Sequence, residues 1–236
     1  MKFFQAMILM IMALALVGCA ANNPALDPKI QEANSSVYEV LIADYYNMVQ
    51  FRLSEDVHMK LEQGEYYEIS DTLEAAIPEE ADYAWWCMFV EFPSGLKNPQ
   101  ITDFGYLLKD INADGQPELF WILSDGRILA LFTVWDAKPV LLGAYWPRSR
   151  VSVTEDGHLL VLRSGGADSQ LYQVLQIPSN GEANILAEFG QDVGQAYQIT
   201  DGKKESITQQ KLTELIETYF EVETMDFSKE IQPLSP

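Results

Sequence analysis

The chain has few of the side chains that most enzymes and metal sites use. It contains two cysteines, Cys19 and Cys87, and two histidines, His58 and His158, far apart in sequence. Two cysteines do not make a disulfide framework, and neither a His-Glu-x-x-His helix nor a cysteine-pair motif is present to form a zinc site. Motifs for a nucleophile elbow, a Ser-x-x-Lys catalytic pair, a dinucleotide loop and a Walker loop are missing as well. The usual sequence signatures of nucleophilic and phosphate chemistry are therefore absent.

Positive charge is also scarce. Fifteen Lys and Arg residues stand against 35 Asp and Glu, which gives a formal net charge of −20. Such a balance argues against binding to nucleic acid and against docking on anionic lipid headgroups, because both would repel the chain. Acidic residues concentrate between Ser54 and Asp82. We interpret this as the soluble acidic surface of an exported protein, with capture of a divalent cation as the alternative.

Only one long apolar run exists, from Ala6 to Val17, and it is shorter than the roughly 20 residues that span a bilayer. It follows Lys2 and ends at Leu16-Val17-Gly18-Cys19, which is typical of a secretory signal peptide. This ending resembles the lipobox of bacterial lipoproteins. The resemblance implies that residues 1–18 are removed and that Cys19 carries a diacylglycerol thioether and an acylated (palmitate-type) amino terminus.

Two or three acyl chains hold a protein stably on a membrane. We therefore expect an exported lipoprotein on the extracytoplasmic face, attached to the membrane through its lipid anchor only, with residues 19–27 as a tether. Whether this is a Gram-positive surface or an outer membrane stays open. The alternative is an ordinary secretory peptide with an incidental cysteine.

Residues 28–93 are predicted to form a helical N-terminal region. Asp27-Pro28 is a helix start, and apolar residues then recur at helical spacing until Gly64, with a possible break at Ser54. Shorter helices are expected up to Pro93, one of them beginning near Pro78. The segment from Trp85 to Phe92, which contains Cys87 as a small core residue, fits a buried strand equally well.

Residues 94–224 are predicted to form an antiparallel β-meander with a closing helix. Asp-Gly and Asn-Gly dipeptides at positions 125, 156, 180 and 201 are typical of two-residue hairpin turns. They separate nine strand candidates: Phe104–Leu108, Glu118–Leu123, Ile128–Trp135, Val140–Tyr145, Val151–Thr154, His158–Leu162, Leu171–Ile177, Ala183–Phe189 and Tyr197–Thr200.

Several strands are apolar without interruption, so both of their faces should be covered. The fold class is thus predicted as α+β: N-terminal helices, a long meander curling into a barrel-like or two-layer sheet, and a C-terminal amphipathic helix capped by Thr208. Trp121 and Trp135 are expected in the core, His158 at a solvated strand end, and residues 225–236 as a loose tail. A glycine-rich stretch, Ser164-Gly165-Gly166-Ala167, is expected to be a mobile hairpin loop.

One loop has a pattern that suits a cation. Calcium prefers six to eight oxygen ligands, and side-chain oxygens stand at positions 1, 3, 5 and 9 of this loop, with glycine at position 6 and a backbone carbonyl at position 7. The candidate ligands are Asp110, Asn112, Asp114, Gln116 (through its carbonyl) and Glu118. Position 12 is Trp121, so the loop is not an EF-hand. Alternatively, the polar side chains make Asx turns that cap their own backbone.

The pattern Asp-x-Asn-x-Asp-Gly-x-x-Glu between two strands resembles the calcium loops of FG-GAP and VCBS-type repeat proteins. More closely, the stretch from Phe104 to Phe220, with Asp125-Gly126 and the glycine-rich stretch that begins at Ser164, resembles a group of uncharacterised lipoproteins of Gram-positive bacteria. The resemblance implies a calcium-loop β module and no particular activity. Ala113 stands where such loops often have glycine.

We therefore expect a non-catalytic binding or interaction module, stabilised by Ca²⁺, whose partner is an unidentified protein or carbohydrate. No catalytic residue is assigned. The alternative is a surface hydrolase that acts on cell-wall or carbohydrate material with Asp and Glu as acid and base. A deep pocket with a perturbed carboxylate pair would favour the hydrolase, and shallow faces would favour the binding module.

Overall fold

The computed structural model describes residues 36–64, 67–78, 96, 98–145, 148–166, 168–178 and 183–235. The signal peptide, Cys19, the tether, the helix start at Asp27, the segment around Cys87 and the Asn180-Gly181 turn lie outside these residues.

The N-terminal part of the described chain is helical. A 3-10 turn, Ser36–Tyr38, leads into α1 (Glu39–Leu53), which is followed by α2 (Val57–Glu62) and α3 (Asp71–Ala76). Of the two alternatives for this helix, a continuous helix and a break at Ser54, the structure has the break, because α1 ends there in an extended conformation. Gly64 has φ +79° and follows α2, as expected of a C-terminal glycine. Ser70 caps α3 through its hydroxyl, which accepts a hydrogen bond from the backbone N–H of Leu73.

A first sheet follows a second 3-10 turn, Ile101–Asp103. Its strands in chain order are β1 (Phe104–Lys109), β2 (Glu118–Leu123), β3 (Ile128–Trp135) and β4 (Lys138–Ala144). Neighbouring strands pair antiparallel as hairpins, and the Asp125-Gly126 turn joins β2 to β3 with Gly126 at φ +87°. All six residues of β2 are buried, which confirms that this strand is covered on both faces. Trp135, at the end of β3, is 49% exposed, so its prediction as a core residue was wrong.

A second sheet contains the next six strands. They are β5 (Arg150–Val153), β6 (His158–Gly166), β7 (Ser169–Gln176), β8 (Asn184–Asp192), β9 (Gln195–Thr200) and β10 (Lys203–Ser206), again paired in chain order. The Asp156-Gly157 turn connects the strand pair predicted for it, whereas the Asp201-Gly202 turn leads into β10, a strand that was not among the nine predicted. After β10, α4 (Gln209–Phe220) closes the domain. The glycine-rich stretch at 164–166 belongs to the end of β6 rather than to a hairpin loop.

The two sheets pack face to face and helices cover their outer faces. On β2, Leu119, Trp121 and Leu123 face the N-terminal helices, while Phe120 and Ile122 face the second sheet. The opposite face of the second sheet packs against α4. The α+β fold with a two-layer sheet is therefore confirmed. The strands of the described residues form two open sheets and do not close into a barrel.

The C-terminal segment is packed, and its prediction as a loose tail was wrong. Residues 232 and 233 form β11 (Gln232–Pro233), which pairs antiparallel with β1. Phe227 and Leu234 are buried. Gly105 on β1 makes this approach possible, because a Cβ at that position would overlap Ile231 and the carbonyl oxygen of Gln232. Apolar burial and edge pairing thus hold a segment that has no regular sequence pattern.

The predicted cap of α4 is present and gives a direct test of helix energetics. The hydroxyl of Thr208 accepts a hydrogen bond from the N–H of Lys211 at 3.1 Å. Thr208→Ala leaves this N–H without its side-chain partner and should lower the free energy of unfolding by about 1 kcal/mol. Urea denaturation checks the value. Thr208→Ser keeps the hydroxyl and should lie within a few tenths of a kcal/mol of the parent protein, so an equal loss in both variants would assign the effect to something other than the cap.

Candidate metal-binding loop

The predicted ligand loop spans residues 110–117 and connects β1 to β2. Its ends are fixed by strand pairing, because Lys109 at the end of β1 is the register partner of Glu118 at the start of β2. Between them the backbone reverses through two residues with positive φ, Ala113 at +59° and Gly115 at +88°. Ala113 therefore occupies a conformation in which glycine is less strained. This explains why related loops favour glycine there.

Three of the predicted ligands gather around the loop backbone. The N–H of Asp114 lies 3.2 Å from Oδ1 of Asp110 and 3.0 Å from Oδ1 of Asn112, so these two oxygens share one donor. Oδ2 of Asp110 accepts from the N–H of Gly115, and Oδ1 of Asp114 accepts from the N–H of Gln116. The amide of Asn112 donates to Oδ2 of Asp114 at 3.2 Å. The structure thus contains the Asx-turn hydrogen bonds of the alternative interpretation.

Glu118 is the fourth side chain of the set and the most unusual. Its side chain is fully buried, at 0% exposure. Oε2 accepts a hydrogen bond from the N–H of Ile111 at 3.0 Å, and Oε1 accepts from the hydroxyl of Thr133 on β3 at 3.2 Å. Burial raises the pKa of the Glu118 carboxyl to about 8, against the lowering effect of the Ile111 hydrogen bond, and the charges of Asp114 and Asp110 raise it further. The ionised side chains that act on this buried acid are thus themselves acidic.

Two contacts hold the loop against the rest of the fold. The hydroxyl of Tyr38, buried at the start of α1, donates to the carbonyl oxygen of Pro117 at 3.0 Å. On the other side, Gly157 in the turn between β5 and β6 lies so close that a Cβ there would overlap the carbonyl oxygen of Ile111. The loop therefore bridges the N-terminal helices, the first sheet and a turn of the second sheet.

The oxygen atoms that this loop offers are of the type that a hard cation binds. Asp110, Asp114 and Glu118 supply carboxylates, and each ionised carboxylate has about four acceptor positions, so one or two N–H bonds leave oxygen lone pairs for a metal. The present arrangement is not a preformed metal site. Within the described parts of the chain, no group of three or more Asp, Glu, His or Cys side chains already surrounds one point.

Other residues that the sequence singled out lie elsewhere. Cys19 and Cys87 fall outside the described residues. His58 is exposed on α2, far from the loop in the chain. His158 opens β6, and its Nδ1 lies 3.1 Å from Oδ2 of Asp156. His158 lies at a strand end, as predicted, but it is partly buried rather than fully solvated. It also lines a cavity of about 400 Å³.

That cavity was not predicted from the sequence. A second open cavity, of about 300 Å³, lies beside the Asp125-Gly126 turn. Glu118, the carboxyl with a strongly raised pKa, lines neither of them.

No protein-family model matches the chain, and searches of curated proteins and of solved structures find no match either. The resemblance to FG-GAP and VCBS-type loops accordingly rests on the motif between Asp110 and Glu118 alone.

Proposed function

We propose that the protein is a lipid-anchored extracytoplasmic binding module, without catalytic activity, whose β-sheet core is stabilised by Ca²⁺ at the loop 110–118. The observation that carries the calcium part is the burial of Glu118 beside two further acidic side chains. Ionisation of a buried carboxyl beside like charges is unfavourable, as the raised pKa of Glu118 indicates, and a divalent cation would favour the ionised form and offset that cost. Because the loop contacts both sheets, an ion there would hold the two layers together.

The anchor is supported by the sequence of residues 1–19, which ends in the lipobox-like Leu16-Val17-Gly18-Cys19. Among the described residues, no helix has the length and apolar character needed to cross a membrane. Mass spectrometry of the native protein tests the anchor. We expect a chain that begins at Cys19 and carries acyl groups; an unmodified Cys19 on a chain that retains residues 1–18 would contradict it.

Calcium binding predicts a ligand-dependent melting temperature. At a free Ca²⁺ concentration of 100 times Kd, a single site adds about 2.7 kcal/mol of stability. For a protein of this size that corresponds to a rise of about 5–10 °C. We expect this rise between chelator and calcium in differential scanning calorimetry, and we expect Asp114→Ala to abolish it.

The comparison must separate metal binding from ordinary loop stability, because Asp114 also accepts a hydrogen bond from Gln116. Asp114→Asn keeps an acceptor oxygen but loses the charge, and should lose most of the calcium response. Asp168→Ala, at an exposed aspartate in another loop, is the control and should respond like the parent protein. Equal melting curves for the parent in calcium and in chelator would end the calcium proposal.

Glu118→Gln makes a second, independent test. A glutamine can accept from Ile111 and donate to Thr133, so the buried hydrogen bonds survive while the charge disappears. In chelator this variant should be as stable as the parent or more stable, and calcium should have a much smaller effect on it. A loss of stability in chelator would mean that the buried charge is not what makes this site unfavourable without an ion.

A further inference from the structure

The cavity of about 400 Å³ lies between the second sheet and the C-terminal end of α4. Its floor is apolar and comes from Leu160 on β6 and Val174 on β7, which are register partners and are both buried. Tyr219, on the last turn of α4, contributes an aromatic side chain to the lining. The volume falls within the range of small-molecule sites, about 300–1,000 Å³.

The segment that follows α4 forms a third side. Thr224 makes a β-bridge with Thr154, and the N–H of Met225 donates to the carbonyl oxygen of Val153 at 2.7 Å. These bonds fix residues 221–225 to the second sheet, so Val222 and Glu223 stand at the rim of the cavity. The walls of this open cavity are therefore chain segments that hydrogen bonds hold in place.

Apart from His158, whose ring contacts Asp156, the ionisable residues with charged side chains around the rim are acidic. Glu155, Asp156 and Glu223 line the cavity, and neither Lys nor Arg is among its described lining residues. The last turn of α4 carries no basic residue either, so its negative dipole end has no compensating side chain there. An apolar floor below an acidic rim fits a ligand that is apolar at one end and cationic at the other.

Asp156 is held in place for such a ligand. The hydroxyl of Thr154 donates to Oδ1 of Asp156, and the ring of His158 contacts Oδ2 at 3.1 Å. The hydrogen bond from Thr154 is the main cause that lowers the pKa of Asp156 below its ordinary value. The Thr154 hydroxyl bonds to the carboxylate of Asp156 and to the backbone of His158 rather than to its imidazole, so these three residues do not form the nucleophile–base contact of a hydrolytic triad. The arrangement suits binding rather than acyl transfer.

We propose that this cavity binds a small organic cation, namely a protonated amine attached to a compact apolar group. The apolar group lies on Leu160 and Val174, and the ammonium lies at the rim near Asp156 and Glu223, where the ring of Tyr219 can add a cation–π contact. The proposal rests on the binding role proposed above and supplies its site, but it does not depend on calcium in the loop 110–118.

Three probes of similar shape test the charge requirement: benzylammonium, benzyl alcohol and phenylacetate. Isothermal titration calorimetry uses the full chain in a non-ionic detergent, with detergent-only titrations subtracted. We expect benzylammonium to bind at least tenfold more tightly than benzyl alcohol, and phenylacetate to show no binding. Equal affinity for the three probes, or no binding of benzylammonium, would overturn the proposal.

Two variants test the location. The double variant Glu155→Gln with Glu223→Gln should weaken benzylammonium binding about tenfold. Its control changes the net charge equally at two exposed residues away from the cavity, Glu62→Gln with Glu205→Gln, and should bind like the parent. A similar loss in both double variants would mean non-specific attraction to an acidic surface and would overturn the site.

Val222→Arg offers a second approach. Val222 is 42% exposed, so the protein should tolerate the longer side chain, whose guanidinium would occupy the acidic rim and exclude benzylammonium. Val40→Arg is matched in exposure, at 44%, but lies on α1, and should leave binding unchanged. Unchanged binding in Val222→Arg would remove the cavity as the site.

Two variants distinguish the binding of the organic cation from the binding of calcium. Asp114→Ala should lose the calcium-dependent rise in melting temperature and keep benzylammonium binding. The Glu155/Glu223 double variant should show the opposite behaviour. Loss of both properties in either variant would contradict the separation of the two sites.

Discussion

Replacing Trp121 with alanine should lower the free energy of unfolding by about 3–5 kcal/mol, the range measured for large aromatic residues in protein cores. Trp121 is 0% exposed at the centre of β2. Its ring stacks on Tyr45 of α1 at 4.5 Å between centroids and lies 5.0 Å from the ring of Phe132. The variant therefore loses both the burial of an indole and the contact that fixes α1 on the first sheet. Domains of this kind have about 5–15 kcal/mol in total, so the loss is a large fraction of the stability.

Trp135 is the matched control. It is the same residue type in the adjacent strand of the same sheet, but it is 49% exposed at the end of β3. Trp135→Ala should change stability by less than about 1 kcal/mol, as surface substitutions usually do. Urea denaturation followed by far-UV circular dichroism avoids dependence on tryptophan fluorescence. Similar losses in both variants would contradict the assignment of Trp121 to the shared core of helix and sheet.

Local sequence signals predicted much of the fold. The bounds of β2 and β3 follow from apolar runs limited by turn dipeptides, and both were predicted to the residue. The turns that were missed lack those dipeptides. Asp136-Ala137 reverses the chain between β3 and β4 with φ of +51° and +59°, and Val193-Gly194 does the same between β8 and β9. Alanine and valine rarely adopt positive φ, so tertiary pairing of the strands overrides the local preference there.

The pairing of strands that are distant in the chain could not be predicted from the sequence. Nothing local indicates that β4 and β5 lie in different sheets, although every other pair of consecutive strands from β1 to β10 is hydrogen-bonded. The packed C-terminal segment has the same cause, because β11 is two residues long and depends on an edge that β1 supplies. Short segments of this kind have no periodicity of their own.

The candidate loop could be predicted from the sequence, whereas the cavity could not. All five loop residues fall within nine positions, so a spacing rule found them. The burial of Glu118 was not foreseen, since it depends on the pairing of β2 with β3, which supplies Thr133. The cavity combines residues from β6, β7 and the segment after α4, which are up to about 70 positions apart in sequence. A linear motif cannot reveal such a site.

Replacing Gly157 with alanine should strongly destabilise the protein. Gly157 has φ +82°, and its Cα faces the carbonyl oxygen of Ile111 without room for a Cβ. Alanine therefore carries a backbone strain of about 1–2 kcal/mol, and the overlap adds to it, since the opposing atom belongs to the backbone and cannot rotate away. We expect a total loss of about 3–4 kcal/mol in the free energy of unfolding, measured by urea denaturation in chelator.

The variant Gly126→Ala distinguishes the effect of backbone strain from that of steric overlap. Gly126 occupies the equivalent position of the Asp125-Gly126 turn with φ +87°, and a Cβ there meets no atom within 4 Å. Gly126→Ala should therefore show the strain alone, about 1–2 kcal/mol. Because Ile111 lies between the candidate ligands Asp110 and Asn112, Gly157→Ala should also reduce the calcium-dependent rise in melting temperature, whereas Gly126→Ala should leave it intact. If the two variants lost equal stability and kept equal calcium responses, the turn of the second sheet would not be what holds the loop in position.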